Sequence, residues 1–323
     1  MNVHAPRLAK AQRVDEQASA FAGDVIGDLS RQPKRLSPKY FYDAAGSELF
    51  EQITLLPEYY PTRTELSILR DRGSAIAATV PQGAALVEFG AGATTKVRLL
   101  LAECAFAAYV PVDISGDFLQ AQADGLRKDF PALGIYPVTA DFTAPFALPE
   151  AVAAMPKVGF FPGSTLGNFE PHEACAFLRS AREILGHGAQ MVIGVDLEKD
   201  ERVLSRAYND AAGVTARFNL NVLHRINREL GGNFDLGKFT HRAIYNRERH
   251  RIEMHLISRK AQTVRVLGRS FSFRAGESIH TENSYKYSLE RFGALARGSG
   301  WTPRECWTDP ARMFSVHALV ASD

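Results

Sequence analysis

The chain has few cysteines: Cys104, Cys175 and Cys306 are the only three in 323 residues. They lie far apart, form no C-x-x-C pair and cannot build a disulfide framework, so the sequence points to a reducing, cytoplasmic compartment. Long apolar runs are missing too. No uninterrupted stretch reaches the ~18 residues a membrane span needs, and the first turns of the chain carry Arg7, Lys10, Arg13, Asp15 and Glu16 where a leader would have an apolar core. A soluble protein with no membrane partner is expected. Charge of one sign is lacking as well: 38 Lys and Arg stand against 36 Asp and Glu, a formal net charge of +2. The densest basic stretch, Asn246-Arg247-Glu248-Arg249-His250-Arg251, is interrupted by Glu248 and reads as a hairpin tip, which argues against nucleic acid as a partner. His224, His241, His250, His255 and His280 show no H-x-x-x-H or Cys/His ligand spacing, so no metal is expected.

What the chain does have is one stretch around which the rest is organised. Residues 84–96 read A-A-L-V-E-F-G-A-G-A-T-T-K: an apolar run, an acidic residue, then Gly90-Ala91-Gly92 opening into Thr94, Thr95 and Lys96. The run is that of a buried parallel strand, and Gly90 and Gly92, one residue apart, let the backbone turn sharply and press against a ligand. The dinucleotide fingerprint G-x-G-x-x-G is incomplete, because its third glycine would fall on Thr95. Asp113 closes a second apolar run about 20 residues further on, where an acidic side chain can grip a ribose hydroxyl pair. These residues suit NAD and S-adenosylmethionine (SAM) alike, and an ordinary Gly-rich turn with a solvated aspartate fits them too.

A chain of this length makes two modest domains the expectation. Residues 1–16 read as a loose polar arm and 17–29 as a helix that Pro33 and Pro38 close off. Leu49, Phe50, Ile53 and Leu56 fall on one helical face, as core positions do. Pro57 and Pro61 bracket Tyr59 and Tyr60 in a stiff loop, and the capping-box spacing of Thr62 and Glu65 predicts a helix starting there. Apolar strands at 84–89, 107–113, 135–140, 157–161 and 190–196 alternate with helices starting at Thr94, Ser115 and Pro171. That alternation means right-handed βαβ units and a parallel sheet covered on both faces. Ligands then sit at the strand ends, which carry the 90–92 turn, Asp113, Asp141-Phe142 and Gly163-Ser164-Thr165-Leu166-Gly167-Asn168. After Asp196 a long helical stretch, 198–230, gives way to period-two alternation at 251–257 and 263–266, which predicts antiparallel strands with one exposed face. A helix at 289–297 and a last strand at 315–320 return the chain to the sheet as an edge hairpin. The expected class is α/β, with a ligand-binding domain of 60–196 and 286–323 and a second, α+β domain of 17–59 and 197–285.

From about Lys39 onward, several stretches resemble one known family. They are Phe41-Tyr42-Asp43, the 47–54 run, Leu56-Pro57-Glu58-Tyr59-Tyr60-Pro61-Thr62-Arg63-Thr64-Glu65, the 163–168 loop, the run from Ala207 to Thr215, Ile252-Glu253-Met254 and Thr281-Glu282-Asn283-Ser284. The run from Leu56 to Glu65 is long and unusual, a far more specific signal than any glycine spacing. On these residues the chain is similar to the SAM-dependent L-histidine Nα-methyltransferases of ergothioneine biosynthesis. The resemblance implies a Rossmann-like class I methyltransferase domain, a parallel sheet with an edge antiparallel hairpin, and a second domain for the substrate. It implies that Gly90, Gly92, Lys96, Asp113, Asp141 and Phe142 hold SAM. Tyr59, Asn168 and Tyr208 would hold the amino-acid backbone, Glu282 and Ser284 would read the imidazole, and Tyr42, Phe50 and Met254 would line the pocket. Tyr42 and Asn168 are the candidate catalytic residues. The implied reaction is methylation of the α-amine of L-histidine up to the trimethylated betaine hercynine, carried out by a monomer without a metal.

The residue types suit that chemistry. Methyl transfer from a sulfonium to an amine is an in-line displacement, which asks the protein to position two reactants and needs no Ser-His-Asp or Cys-His nucleophile. Tyr and Asn orient a carboxylate and an amine without adding charge, and aromatic rings can face an amine that becomes a permanent cation. Plain packing explains Tyr42 and Phe50 equally well. Two other readings remain open at this point: a member of the same family acting on another small amine or amino acid, and a catalytically silent SAM-binding protein. An NAD oxidoreductase is disfavoured by Thr95 and by the want of a proton-relay residue at a strand end.

Overall fold

A computed structural model describes residues 5–322, without the side-chain surroundings of residues 5–17 and of Asp117. The chain forms two compact units, the first of Met1–Glu58, Arg202–Asn246 and Ile252–Asn283, the second of Tyr59–Glu201, Arg247–Arg251 and Ser284–Asp323.

The second unit is a mostly parallel α/β sheet. Its strands run in the order Trp301–Thr308, Phe314–Ala321, Gln190–Asp196, Lys157–Phe161, Ala85–Phe89 and Ala108–Asp113, with Gly134–Ile135 and Val138–Thr139 both pairing with the last. Only the two pairings of Phe314–Ala321 are antiparallel. The central strands are apolar nearly throughout because helices cover both faces. Val87, Phe89, Phe161 and Ile193 pack one face with Phe177, Leu178 and Trp301. Leu86, Val158, Phe160 and Val192 pack the other with Ile68, Leu69, Leu100 and Phe314. Chain direction across the sheet reverses at Ala85–Phe89, which leaves a crevice beyond its carboxyl end, the usual ligand position in such sheets. The outermost strand carries Pro303 and a register shift between Pro303 and Glu305, features an edge tolerates.

In the first unit, Lys34–Arg35, Ser278–Tyr285, Arg251–Ser258 and Phe239–Asn246 lie side by side in that order, with a separate hairpin of Gln262–Val266 and Arg269–Phe273. The tip of the hairpin at 247–250, with Arg251, and the end of the strand at Ser284-Tyr285 fall in the second unit. Asp43 caps the helix Ala44–Thr54 by accepting from Gly46 N at 2.8 Å.

Five local expectations are corrected. The N-terminal helix spans Ala5–Ser30, so most of the anticipated arm is helical. The helical stretch 198–230 is two helices, Glu201–Tyr208 and Val214–Leu230: Gly213 takes a left-handed φ of +68°, and the Asp210 carboxylate caps the second helix through Val214 N and Thr215 N, each at 2.8 Å. The strand expected at 135–140 is two short pieces. The helix assigned to a Thr62/Glu65 capping box begins earlier, at Tyr60 with Pro61 in its first turn, and Glu65 points inward. Of the expected core face of Ala44–Thr54 only Ile53 is fully buried; Leu49, Phe50 and Leu56 are half-buried.

Candidate active site

In the second unit, Gly90 ends Ala85–Phe89 with a φ of +74°, and a Cβ there would lie 3.1 Å from the Phe142 ring. The turn is pinned to the neighbouring strand by Gly90 N and Ala91 N, which donate to Val112 O at 2.9 and 3.0 Å. No described atom lies within 4 Å of where a Gly92 Cβ would stand, so the turn faces open space. Asp113 closes the adjacent strand; its carboxylate accepts from Ser115 N at 2.8 Å, and burial raises its pKa against the opposing hydrogen bonds. Phe142 meets Phe161 and Phe177 edge-on, with centroids 5.7 and 5.8 Å away. Asp141 is exposed and accepts from Thr143 N and Oγ1.

Lys96 is held by Glu65, which the sequence offers as a capping-box acid and not as a partner of Lys96. Glu65, 1% exposed, pairs with Lys96 Nζ at 2.7 Å, and both its oxygens accept from Gly163 N at 2.9 Å. Gly194 makes room for that carboxylate, since a Cβ there would fall 2.0 Å from Glu65 Oε1. Glu65 precedes the buried Ile68 and Leu69 by three and four positions, so a charged residue on the apolar stripe was the available signal.

The loop after Lys157–Phe161 is strained. Gly163 and Ser164 have φ of +81° and +58°, and Ser164 Oγ accepts from Asp196 N at 2.9 Å. Asn168 ends the short 3-10 turn Thr165–Asn168, half-buried. The loop packs on the strand end that carries Ser284, because a Cβ on Gly167 would lie 2.8 Å from Tyr285 O. Tyr59, buried, stands at the start of Tyr60–Asp71.

The first unit carries the remaining candidates. Tyr42 meets the Phe50 and Phe218 rings edge-on, each with a centroid separation of 5.7 Å. Met254 and Glu282, both buried, lie on adjacent strands. Tyr208 ends its helix, and its carbonyl is fixed by His241 Nε2 at 2.8 Å. His241 Nδ1 takes the Asn219 amide at 2.8 Å, so Nε2 carries the proton; burial lowers its pKa and keeps the ring neutral. Asn219, fully buried, accepts from Thr281 Oγ1 at 2.7 Å, and Thr281 also donates to Met254 O. One hydrogen-bond chain thus ties Tyr208 to the strand of Glu282. Phe218 and Asn219 went unflagged, although Asn219 interrupts the buried stripe Val214, Phe218, Val222, Ile226 with a polar side chain.

Comparison with known proteins decides the family. The sequence profile described as histidine-specific methyltransferase, SAM-dependent, matches residues 21–321. The chain is 42% identical to a histidine N-alpha-methyltransferase of Mycolicibacterium smegmatis, over 97% of this chain and 98% of that one. The chain belongs to the histidine-specific, SAM-dependent methyltransferases. A second histidine N-alpha-methyltransferase, from Mycobacterium tuberculosis, is 39% identical over 96% of this chain and 98% of its own. Ergothioneine biosynthesis protein 1 of Neurospora crassa is 31% identical over 90% of this chain, which spans 33% of that longer protein. In this methyltransferase the open turn at Gly92, the left-handed Gly90 and the Asp113 carboxylate at the end of the next strand fit a nucleoside with a free ribose diol. Among the described residues no group of three or more His, Cys, Asp or Glu side chains could hold a metal ion, and no helix is long and apolar enough to cross a membrane.

Glu88, two residues before the methyltransferase's glycine turn, is buried and accepts from the Tyr109 hydroxyl at 2.5 Å. Burial raises its pKa to about 8, with the Tyr109 bond and Lys96 opposing and Asp113 and Glu65 adding. The raised value means that folded Glu88 keeps its proton where the unfolded chain has lost it. Stability is therefore full below the unfolded pKa of about 4.3, declines as pH rises, and reaches its floor above about 8. Glu88→Gln, which mimics the protonated acid, is expected to raise the melting temperature by several degrees at about pH 9 and hardly at all at about pH 5. Thermal unfolding at the two pH values checks this.

Proposed function

We propose that this methyltransferase places three methyl groups in succession on the α-amino nitrogen of L-histidine, giving the betaine hercynine on the route to ergothioneine. The observation that carries this reading is the full-length similarity to histidine N-alpha-methyltransferases; that Glu282 and Met254 lie on adjacent strands supports it. SAM supplies an electrophilic methyl group on a sulfonium. In the proposed roles, Asp113 accepts from the ribose hydroxyls, Gly90 and Gly92 admit the ligand to the backbone, and Lys96, Asp141 and Phe142 complete the cofactor contacts. Tyr59, Asn168 and Tyr208 hold the carboxylate and amine. Glu282 accepts from an imidazole N–H, Ser284 takes the other ring nitrogen, and Tyr42 and Phe50, braced by Phe218, face the amine as it becomes cationic. The reading calls on no metal and no second copy of the chain, and the three free thiols accord with a reducing, cytoplasmic setting.

An ammonium has no lone pair, so each transfer needs the neutral amine. The matched motifs offer no His or Lys as a base, and in the proposed mechanism the proton passes to water while Tyr42 orients the nitrogen. A peptide-like α-amino group titrates at about 7.7–8.0, so kcat/KM is expected to rise with pH across the neutral range. Tyr42→Phe should slow turnover without abolishing it, and dimethylhistidine should bind at least as well as histidine. Rates at several pH values with histidine and its mono- and dimethyl forms test this; a flat profile together with poor binding of the dimethyl form overturns it.

A further inference from the structure

Glu65 is a buried carboxylate to which the proposed chemistry gives no role. Its Oε2 meets Lys96 Nζ at 2.7 Å and accepts from Gly163 N at 2.9 Å. The ammonium is confined as well: the Lys96 side chain is 17% exposed, and a Cβ on Gly163 would lie 3.2 Å from Nζ. A buried ion pair is weak evidence of stabilisation in itself, because apolar side chains of similar volume often serve as well. The charge of Glu65 therefore calls for another account.

The neighbouring charges supply one. Glu88, two residues before Gly90, responds to Lys96, which pulls its pKa down, and to Asp113 and Glu65, which push it up, so these groups act on one another. With a pKa of about 8, Glu88 is itself mostly protonated at about pH 7 and does not cancel Lys96. Arg98, the next cation along Thr95–Glu103, is turned to Asp129 at 2.7 Å. Glu65 is the acid in contact with Lys96, and with that lysine cancelled the charge left in this group is the negative one of Asp113.

We infer that Glu65 is a specificity-determining residue: by cancelling the charge of Lys96 it raises the preference of the cofactor site for the cationic methyl donor over its spent form, S-adenosylhomocysteine (SAH). The inference rests on the proposed place of Lys96 and Asp113 among the cofactor contacts. SAM and SAH differ by one methyl group and one positive charge on sulfur, so contacts to the base, the ribose and the amino-acid end are common to both. An uncancelled Lys96 would repel the sulfonium and spare the neutral thioether. Each transfer leaves one SAH behind, and a site that holds it less well clears itself for the next donor.

The test is calorimetric titration with SAM and with SAH at about pH 7, read as the ratio of the two affinities. Glu65→Gln removes the charge, while its amide oxygen can still accept from both Gly163 N and Lys96, as Oε2 does. The ratio should shift toward SAH by about 10-fold, the scale on which unit charges roughly 12 Å apart interact at an effective dielectric of about 20. Adding Lys96→Met to Glu65→Gln removes the repelling cation and should return the ratio to within about 3-fold of the unaltered protein. Glu65→Asp keeps the charge and should keep the ratio, even where its shorter side chain weakens both ligands. A merely structural Glu65 would weaken SAM and SAH by the same factor, and an unchanged ratio in Glu65→Gln overturns the inference. A ratio that stays shifted after Lys96→Met is added overturns it too, because the shift then has another source. Lys96→Met alone gives a measurement that does not depend on a Glu65 variant folding: a shift toward SAH there contradicts the inference. If that variant binds both ligands as the unaltered protein does, Lys96 is no cofactor contact, and the reading of the site fails before the inference does.

Discussion

Asp113→Ala is expected to weaken SAM binding by about 10- to 100-fold, the loss of a hydrogen bond to a charged group, while the fold survives. Asp113 lies at a strand end and its carboxylate is held by Ser115 and by the Ile114 backbone, outside the strand ladder, so truncation leaves the sheet pairing untouched. Gly90→Val should have at least as large an effect by another route. A β-branched residue resists a φ of +74°, and its Cβ would press on the Phe142 ring from 3.1 Å. Calorimetric titration of both folded variants with SAM decides the matter, and unchanged affinity in both would remove the assigned cofactor site. The buried Asp113 carries a further sign. Because burial raises its pKa, the ionised acceptor is lost on acidification at a higher pH than for a free aspartate, near 3.9, and affinity for SAM should fall correspondingly early.

Glu282→Ala is expected to lower kcat/KM for histidine by about 100-fold or more and to relax discrimination against apolar aromatic amino acids. A site built around a polar partner rejects analogues that leave it unpaired, and that penalty vanishes with the carboxylate. Glu282 is buried on the strand next to that of the buried Met254, so truncation removes the carboxylate from an enclosed wall. Steady-state rates with histidine and phenylalanine measure the switch. Wild-type kcat/KM for histidine in the variant would assign the ring to another residue.

The sheet was legible because its strands are short apolar runs bounded by glycine, proline and aspartate. Lys157–Phe161 and Gln190–Asp196 begin and end where the sequence places them. The break at Gly213 was not legible, since the apolar spacing of Leu204, Ala207 and Val214 carries on across it and the Asp210 cap acts over four and five residues. Thr62 and Glu65 show the limit of a spacing rule. The same two residue types can cap a helix or, as here, stand in a helix already begun at Tyr60 with the acid turned inward to Lys96 and Gly163. The candidate site divides the same way. Motifs single out the side chains proposed to meet ligand, whereas the groups that hold them, such as Glu65 and Asn219, are polar residues on otherwise apolar helix faces. Lys96 and Gly163 lie 31 and 98 residues from Glu65 and His241 lies 22 from Asn219, so only folding brings these partners within hydrogen-bond distance.

Everything proposed for the site requires that the chain methylate the α-nitrogen of histidine. The most direct measurement is the mass and fragmentation pattern of the product formed from SAM and L-histidine. A trimethylated histidine with every methyl group on the α-nitrogen is expected. Methyl groups on a ring nitrogen, or no methylated histidine while another amino acid in the same assay is consumed, would contradict it.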